Sequence, residues 1–186
     1  MRRPVRLLLR ALPWLALLLA LALLAAWLAL RASLPAVEGE RQLAGLAGRV
    51  LVERDAAGVP VIRGASRADV ARATGFVHAQ DRFFQMDLTR RAAAGELAAL
   101  LGPALLPADR RMRVHRFRAR AADALAAAGE KDRLLLEAYA EGVNAGLAAL
   151  GARPFEYLLL RQKPRPWQAE DALLVVFAMW VDLQSG

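Results

Sequence analysis

Few residues in this 186-residue chain are of types that do chemistry, and those few do not cluster. His78 and His115, the only histidines, fall on different predicted helices. Neither has a metal-ligand partner at i+4, so both read as structural. The serines are Ser33, Ser66 and Ser185. None sits in a Gly-x-Ser-x-Gly elbow, and Ser66 opens a helix as its cap. Cysteine is absent, which removes thiolate chemistry, and no glycine-rich loop could cradle a phosphate. Carboxylates at i,i+4, such as Glu137 and Glu141, read as a solvated helix face. From residue types and spacing alone, no active site assembles.

The elements that would position such groups are easier to read. In "GFVHAQDRFFQMDLTRR", residues 75–91, Phe76, Phe83 and Phe84 are interleaved with Gln80, Asp81, Arg82 and Gln85. A surface helix separates apolar and polar residues into two stripes, and this one does not. Its start is set by Ser66 with Asp69 three residues on, close to a capping box, and its stop by Gly95. Before it, two β-rich runs, 49–54 and 59–63, flank the turn Asp55-Ala56-Ala57-Gly58, a hairpin signal. Pro60 confines the second run to an edge or a strand start. Further helices are predicted over 96–101, 107–127, 131–150 and 169–183. In the 131–150 helix Leu135, Tyr139, Val143, Leu147 and Leu150 are expected to form one buried stripe, with Gly142 and Gly146 beside it for close packing.

The front of the chain is different. The chain is 57% hydrophobic, and the excess is concentrated in residues 11–30, a stretch of 20 without a charge. As a helix it would span roughly 30 Å, the thickness of a bilayer core. Arg2, Arg3, Arg6 and Arg10 precede it, which favours a cytoplasmic N-terminus with the remainder exported. The run is longer than a cleavable signal's apolar core of about 7–15 residues, so the expectation is an uncleaved anchor in the inner membrane, with cleavage and release to the periplasm as the alternative. The division expected is a basic cytoplasmic tail (1–10), an anchor (11–31), a tether (32–47) and an incomplete folded portion (48–186).

The net charge of +8 does not point to nucleic acid. Only Lys131 and Lys163 are lysines among 26 basic residues, and the one cluster, "RRMRVHRFRAR", comes with no nucleic-acid module. The segment "DALLVVFAMWVDLQSG" at the end is apolar without a visible cover, and a lone hairpin is marginal by itself. Both suggest a piece of a larger protein.

The order of motifs resembles the A chain of the penicillin acylase (penicillin amidase) family of N-terminal-nucleophile hydrolases. The matching residues are Arg54, Asp55, Gly58 and Pro60 in the hairpin. Ala79–Met86 follows, with Gln80, Asp81, Arg82 and Gln85, then Arg90-Arg91, Gly95 and Leu101-Gly102. Ala138, Tyr139, Gly142 and Asn144 come next, and after them "PFEYLLL" and "RPWQAEDALLV" with Trp167 and Asp171.

The resemblance implies an α+β protein: the mostly helical A-chain portion of an αββα fold, with a short N-terminal hairpin and one transmembrane helix ahead of it. It implies a precursor that cleaves itself, exposing on a long B chain the serine that attacks a linear N-acyl amide to give an acid and an amine. That serine would lie beyond Gly186, as would the A-chain carboxylate for a structural calcium in the full-length enzyme, so no catalytic or metal residue is expected in this chain. Gln80, Asp81, Arg82 and Gln85 would be internal hydrogen-bonding groups, structural rather than catalytic. Trp180, Leu183 and Gln184 would stand where known members place a methionine, an arginine and a phenylalanine on the acyl-pocket wall. That departure puts a phenylacetyl preference in doubt. The competing reading is a membrane-tethered, non-catalytic helical scaffold or binding module.

Overall fold

The structure, a computed structural model, describes residues 3–184. Helix α1 (Arg3–Ala32) runs through Pro13 and carries the apolar stretch Leu12–Ala32, of mean hydropathy 2.3, with none of its most apolar window buried. It is long and apolar enough to cross a membrane, a property it shares with signal sequences. Met1 and Arg2 of the basic tail lie outside the described residues.

Strands β1 (Leu51–Arg54) and β2 (Pro60–Arg63) pair antiparallel, Leu51 opposite Arg63 and Arg54 opposite Pro60. The turn is closed by Asp55, whose carboxylate accepts from the N–H groups of Ala57 and Val59 at 2.9 Å. Gly58 supplies the left-handed backbone (φ 80°) that the turn requires. This hairpin is the whole sheet among the described residues, so the αββα sandwich implied by the resemblance is not formed by this chain alone.

Helix α2 (Arg67–Ala94) is the spine. Ser66 caps it by accepting from the Asp69 N–H at 3.0 Å, and Gly95 ends it in the left-handed region. The capping box is only half made. Asp69 turns its carboxylate away to accept from the Ala47 N–H, tying the preceding segment to the helix. Arg72 holds the same segment through the Gly45 carbonyl.

Helix α6 (Glu130–Ala148) crosses α2 with almost no space between backbones. A Cβ on Gly75 would lie 2.2 Å from the Tyr139 carbonyl oxygen, on Gly142 1.9 Å from that of Arg72, and on Gly146 2.3 Å from that of Phe76. The face of α6 pressed inward is therefore the small one, with Ala138, Gly142, Val143 and Gly146 buried. Leu135, Tyr139 and Leu147 of the predicted stripe are only partly covered.

The single helix predicted over 107–127 is two helices. Helix α4 (Leu106–Arg113) and α5 (Phe117–Ala127) are separated by Arg116, which takes a left-handed backbone (φ 55°). The short α3 (Ala98–Leu101) precedes them, its first N–H groups met by the Asp109 carboxylate from α4. A short helix, α7 (Phe155–Leu159), was not predicted, since five residues are too few to show a period. Helix α8 (Asp171–Gln184) closes the fold by placing Leu174 against Ala93, Ala94, Phe117 and Ala121.

Candidate functional site

The family motifs, scattered in sequence, converge on one side chain. Arg90 on α2 is 2% exposed and every face of its guanidinium is used. Nε donates to Asp87 at 2.8 Å, Nη1 to the Pro166 carbonyl at 2.8 Å and to Asp171 at 2.5 Å, and Nη2 to the Arg165 carbonyl at 2.8 Å. Its plane lies 4.9 Å from the Trp167 ring centre. Such saturation is what a buried charge requires to persist.

Around this centre a second layer ties α5, α6 and the loop before α8 together. Asn144 and Trp167 exchange two hydrogen bonds: the Asn144 amide donates to the Trp167 carbonyl at 2.9 Å, and the Trp167 N–H donates back to Asn144 Oδ1 at 2.8 Å. Asp171 accepts from Arg118 and from the Gln168 N–H, capping the start of α8. Glu96 accepts from Arg118 and Arg165.

Asp87, fully buried, takes a 2.6 Å hydrogen bond from the Tyr157 hydroxyl. Arg91 Nε lies 2.9 Å from it, an ion contact without the alignment of a hydrogen bond. Burial alone would raise its carboxyl, but the Tyr157 hydroxyl and the Arg90 and Arg91 charges outweigh it and hold Asp87 below the usual carboxylate range. Glu96 is held low in the same way, burial being overcome by Arg165 and Arg118. Burial, reinforced by Asp87, pushes the Tyr157 hydroxyl far up. Carboxylates locked ionised and a guanidinium with no free donor have nothing to give a substrate near neutral pH. The centre is a clamp.

The cluster that stands out in the sequence, Gln80 to Gln85, is a different place. The helix breaks its geometry at Arg82 (φ −152°, ψ 30°), and this kink turns Arg82 and Gln85 outward. Both are exposed in this chain; the expectation that they lie inside concerns the complete enzyme, where a longer partner chain would cover this helix. Asp81 accepts from Arg54 Nη2 at 2.7 and 2.9 Å, with its side chain 17% and that of Arg54 28% exposed. Arg54 also donates to the Gly58 carbonyl, so Arg54, Asp55, Gly58 and Asp81 together dock the hairpin turn onto α2. Gln80 is buried, and its Nε2, like Trp167 Nε1, has no acceptor among the described residues. Tyr139 meets His78 Nδ1 at 3.0 Å; burial pushes its hydroxyl up to about 12 and pushes His78 down.

Trp180 and Leu183 stand out from α8, 55% and 73% exposed, and Gln184 is exposed beside them. With Val176 and Met179 they make an apolar strip that no other described residue covers. A groove of about 220 Å³ on the other side of α8 is lined by Ala178 and Val181 against Ala93 and Met112, and excludes all three. No group of three or more acidic, histidine or cysteine side chains able to hold a metal occurs among the described residues. The carboxylates of the clamp are already taken by arginine and backbone N–H groups, so they do not fit the calcium implied by the resemblance.

Sequence reasoning named Asn144, Trp167 and Asp171 by resemblance but did not single out Asp87, Tyr157 or Arg118. One signal was present: Asp87 with Arg90 and Arg91 at i+3 and i+4 places three charges on one helix face, as an ion-pair cluster requires.

The penicillin amidase family model matches residues 49–186. Penicillin acylase 2 proenzyme of Pseudomonas sp. (strain SE83) is 44% identical over 80% of this chain and 19% of its own length. Acyl-homoserine lactone acylase QuiP of Pseudomonas fluorescens (strain Pf0-1) is 38% identical over 77% of this chain and 18% of its own. The chain thus spans about a fifth of the length of these relatives. Among solved structures, a thermostable penicillin G acylase from Alcaligenes faecalis superposes with a TM-score of 0.66 at 31% identity, covering 74% of this chain and 75% of that one. The match begins at the hairpin and takes in every residue of the clamp: this chain belongs to the penicillin amidase family.

Proposed function

We propose that this chain is the anchor-bearing, A-chain portion of an exported acylase precursor that hydrolyses linear N-acyl amides to a carboxylic acid and an amine. In this reading α8 contributes one wall of the acyl pocket through Trp180, Leu183 and Gln184, and the B-chain portion of the same precursor covers it and brings the nucleophilic serine. The observation that carries the reading is the division of labour along α8. Its first turn is locked into the clamp by Asp171, while its later turns leave Met179, Trp180 and Leu183 exposed among the described residues.

The serines support an external nucleophile. Ser33 is buried, its hydroxyl donating to the Leu30 carbonyl at 2.7 Å, and Ser66 is spent as a helix cap. Ser185 lies outside the described residues. The likeness to a solved penicillin G acylase chain supports the acylase part of this reading. Relatives named penicillin acylase and acyl-homoserine lactone acylase support an N-acyl compound as the substrate class. A calcium ion belongs to the complete enzyme in this reading, not to the clamp.

The precursor itself supplies the test. Produced whole, it should appear as two chains, and the N-terminal residue of the longer one should be serine. A single uncleaved polypeptide that never hydrolyses an amide would favour the membrane-tethered scaffold.

A further inference from the structure

The last turn of α1 does not leave the folded portion freely. The Ala32 carbonyl accepts from the Ala152 N–H at 2.9 Å, and a Cβ on Gly151 would lie 3.2 Å from the same oxygen. The loop between α6 and α7 is thus bonded to the residue where the apolar stretch Leu12–Ala32 ends. Beside this bond Phe155 faces Trp27, Leu30, Arg31, Ser33 and Leu34 across a groove of about 210 Å³. Trp27 and Leu30 belong to the apolar stretch, so Phe155 sits level with its last turns.

Helix α7 is apolar where it is open. Phe155 is exposed and Leu159, one turn on, is 76% exposed. Arg153 precedes the helix and Arg161 and Lys163 follow it, with Glu156 the only acid between. Arg31 lies 5.5 Å from the Trp27 ring, pairing a cation with an aromatic at the end of the span.

We infer that α7 and the C-terminal turn of α1 form one seat on the membrane surface, with Phe155 and Leu159 dipped into the interface and Arg31, Arg153, Arg161 and Lys163 facing acidic phospholipid headgroups. Continuity with the span chooses the occupant: a surface bonded to the exit point of a transmembrane helix meets lipid headgroups first. The residue types agree. Aromatic and basic side chains collect at the headgroup level, and basic clusters next to a span are drawn to anionic lipid. This inference rests on the reading of α1 as a membrane span. Its consequence is orientation: the folded portion would be held against the bilayer instead of swinging on its anchor.

The chain has no cysteine, so single labels can be placed cleanly. A fluorophore is attached to the full chain at Leu21→Cys, Phe155→Cys, Leu159→Cys or Lys131→Cys, the last at the far end of α6. Each protein is reconstituted in vesicles of phosphatidylcholine with phosphatidylglycerol, carrying a nitroxide lipid at either the headgroup or mid-chain position. The labels at 155 and 159 should lose most of their emission to the headgroup nitroxide, and lose less when phosphatidylglycerol is omitted or salt is raised. The label at 131 should be unaffected, and that at 21 should respond to the mid-chain nitroxide. If 21 is quenched but 155 and 159 behave like 131, the seat is wrong while the span stands. If 21 is not quenched, the spanning reading fails and the seat with it.

Discussion

Two charged regions lie on the same helix about two turns apart and behave oppositely. At Asp87–Arg90, side chains with almost no solvent exposure are satisfied by partners from α7, α8 and the loop before α8. At Asp81, a half-covered carboxylate meets one arginine of a hairpin, and its neighbour Arg82 faces outward where α2 kinks. By sequence the second cluster is the denser and more unusual. The lesson is that density of polar residues does not locate a buried network; helical phase relative to the packing partner does. Gly75, Gly142 and Gly146 let α2 and α6 touch ahead of the break at Arg82, and beyond that break Asp87 and Arg90 face inward.

The sharpest way to break this contrast is Asp87→Ala. Removing the shared acceptor leaves two buried guanidiniums and a tyrosine hydroxyl without it, and loss of one partner in such a network costs about 3–5 kcal/mol. With total stabilities of about 5–15 kcal/mol, urea unfolding of the detergent-solubilised chain should show a large drop in midpoint. A change below about 1 kcal/mol would mean that the clamp is not what holds the helices together.

Gly142→Ala tests how closely α2 and α6 cross. A methyl 1.9 Å from the Arg72 carbonyl must push the helices apart, at a cost of about 1–3 kcal/mol. That exceeds the gain of up to about 1 kcal/mol from replacing glycine inside a helix. An unchanged or raised melting temperature would show that the helices do not pack this closely.

Acid should find the clamp as well. Asp87 and Glu96 have folded pKa values below their unfolded ones, so their contribution is complete above the usual carboxylate range near pH 4 and is lost as pH falls through the depressed folded values. Stability followed by urea unfolding should therefore decline below about pH 4, and this decline should shrink in Asp87→Ala. An identical acid profile in both proteins would assign the acid sensitivity elsewhere.

The smallest effect belongs to Asp81→Ala. A partly exposed pair with one arginine contributes about 1 kcal/mol or less, so this variant should unfold close to the parent while its hairpin turn becomes more accessible to protease. A loss as large as that of Asp87→Ala would equate the two regions and erase the contrast.

These outcomes also mark what could be read in advance. The hairpin turn, the cap at Ser66, the stop at Gly95 and the apolar length of α1 were legible because each depends on a few adjacent residues. The break at Arg116 was not, since no glycine or proline announces it and a left-handed arginine is set by tertiary packing. Asn144, Trp167 and Asp171 were legible as motif residues, yet their convergence on Arg90 depends on bonds across 23 to 81 positions of chain, which no local pattern encodes. The outward face of Trp180 and Leu183 is likewise a property of packing, visible only once Leu174 is seen to take the inner side of α8.

The central claim is that this chain builds a clamp and a pocket wall while another part of the precursor brings the nucleophile. Amide hydrolysis measured with a chromogenic N-acyl substrate tests it directly, on the chain alone and on the same chain produced together with the rest of its precursor. The account predicts no turnover above buffer for the chain alone and clear turnover for the combination. Turnover by the isolated chain would contradict it, because a nucleophile would then lie within these 186 residues.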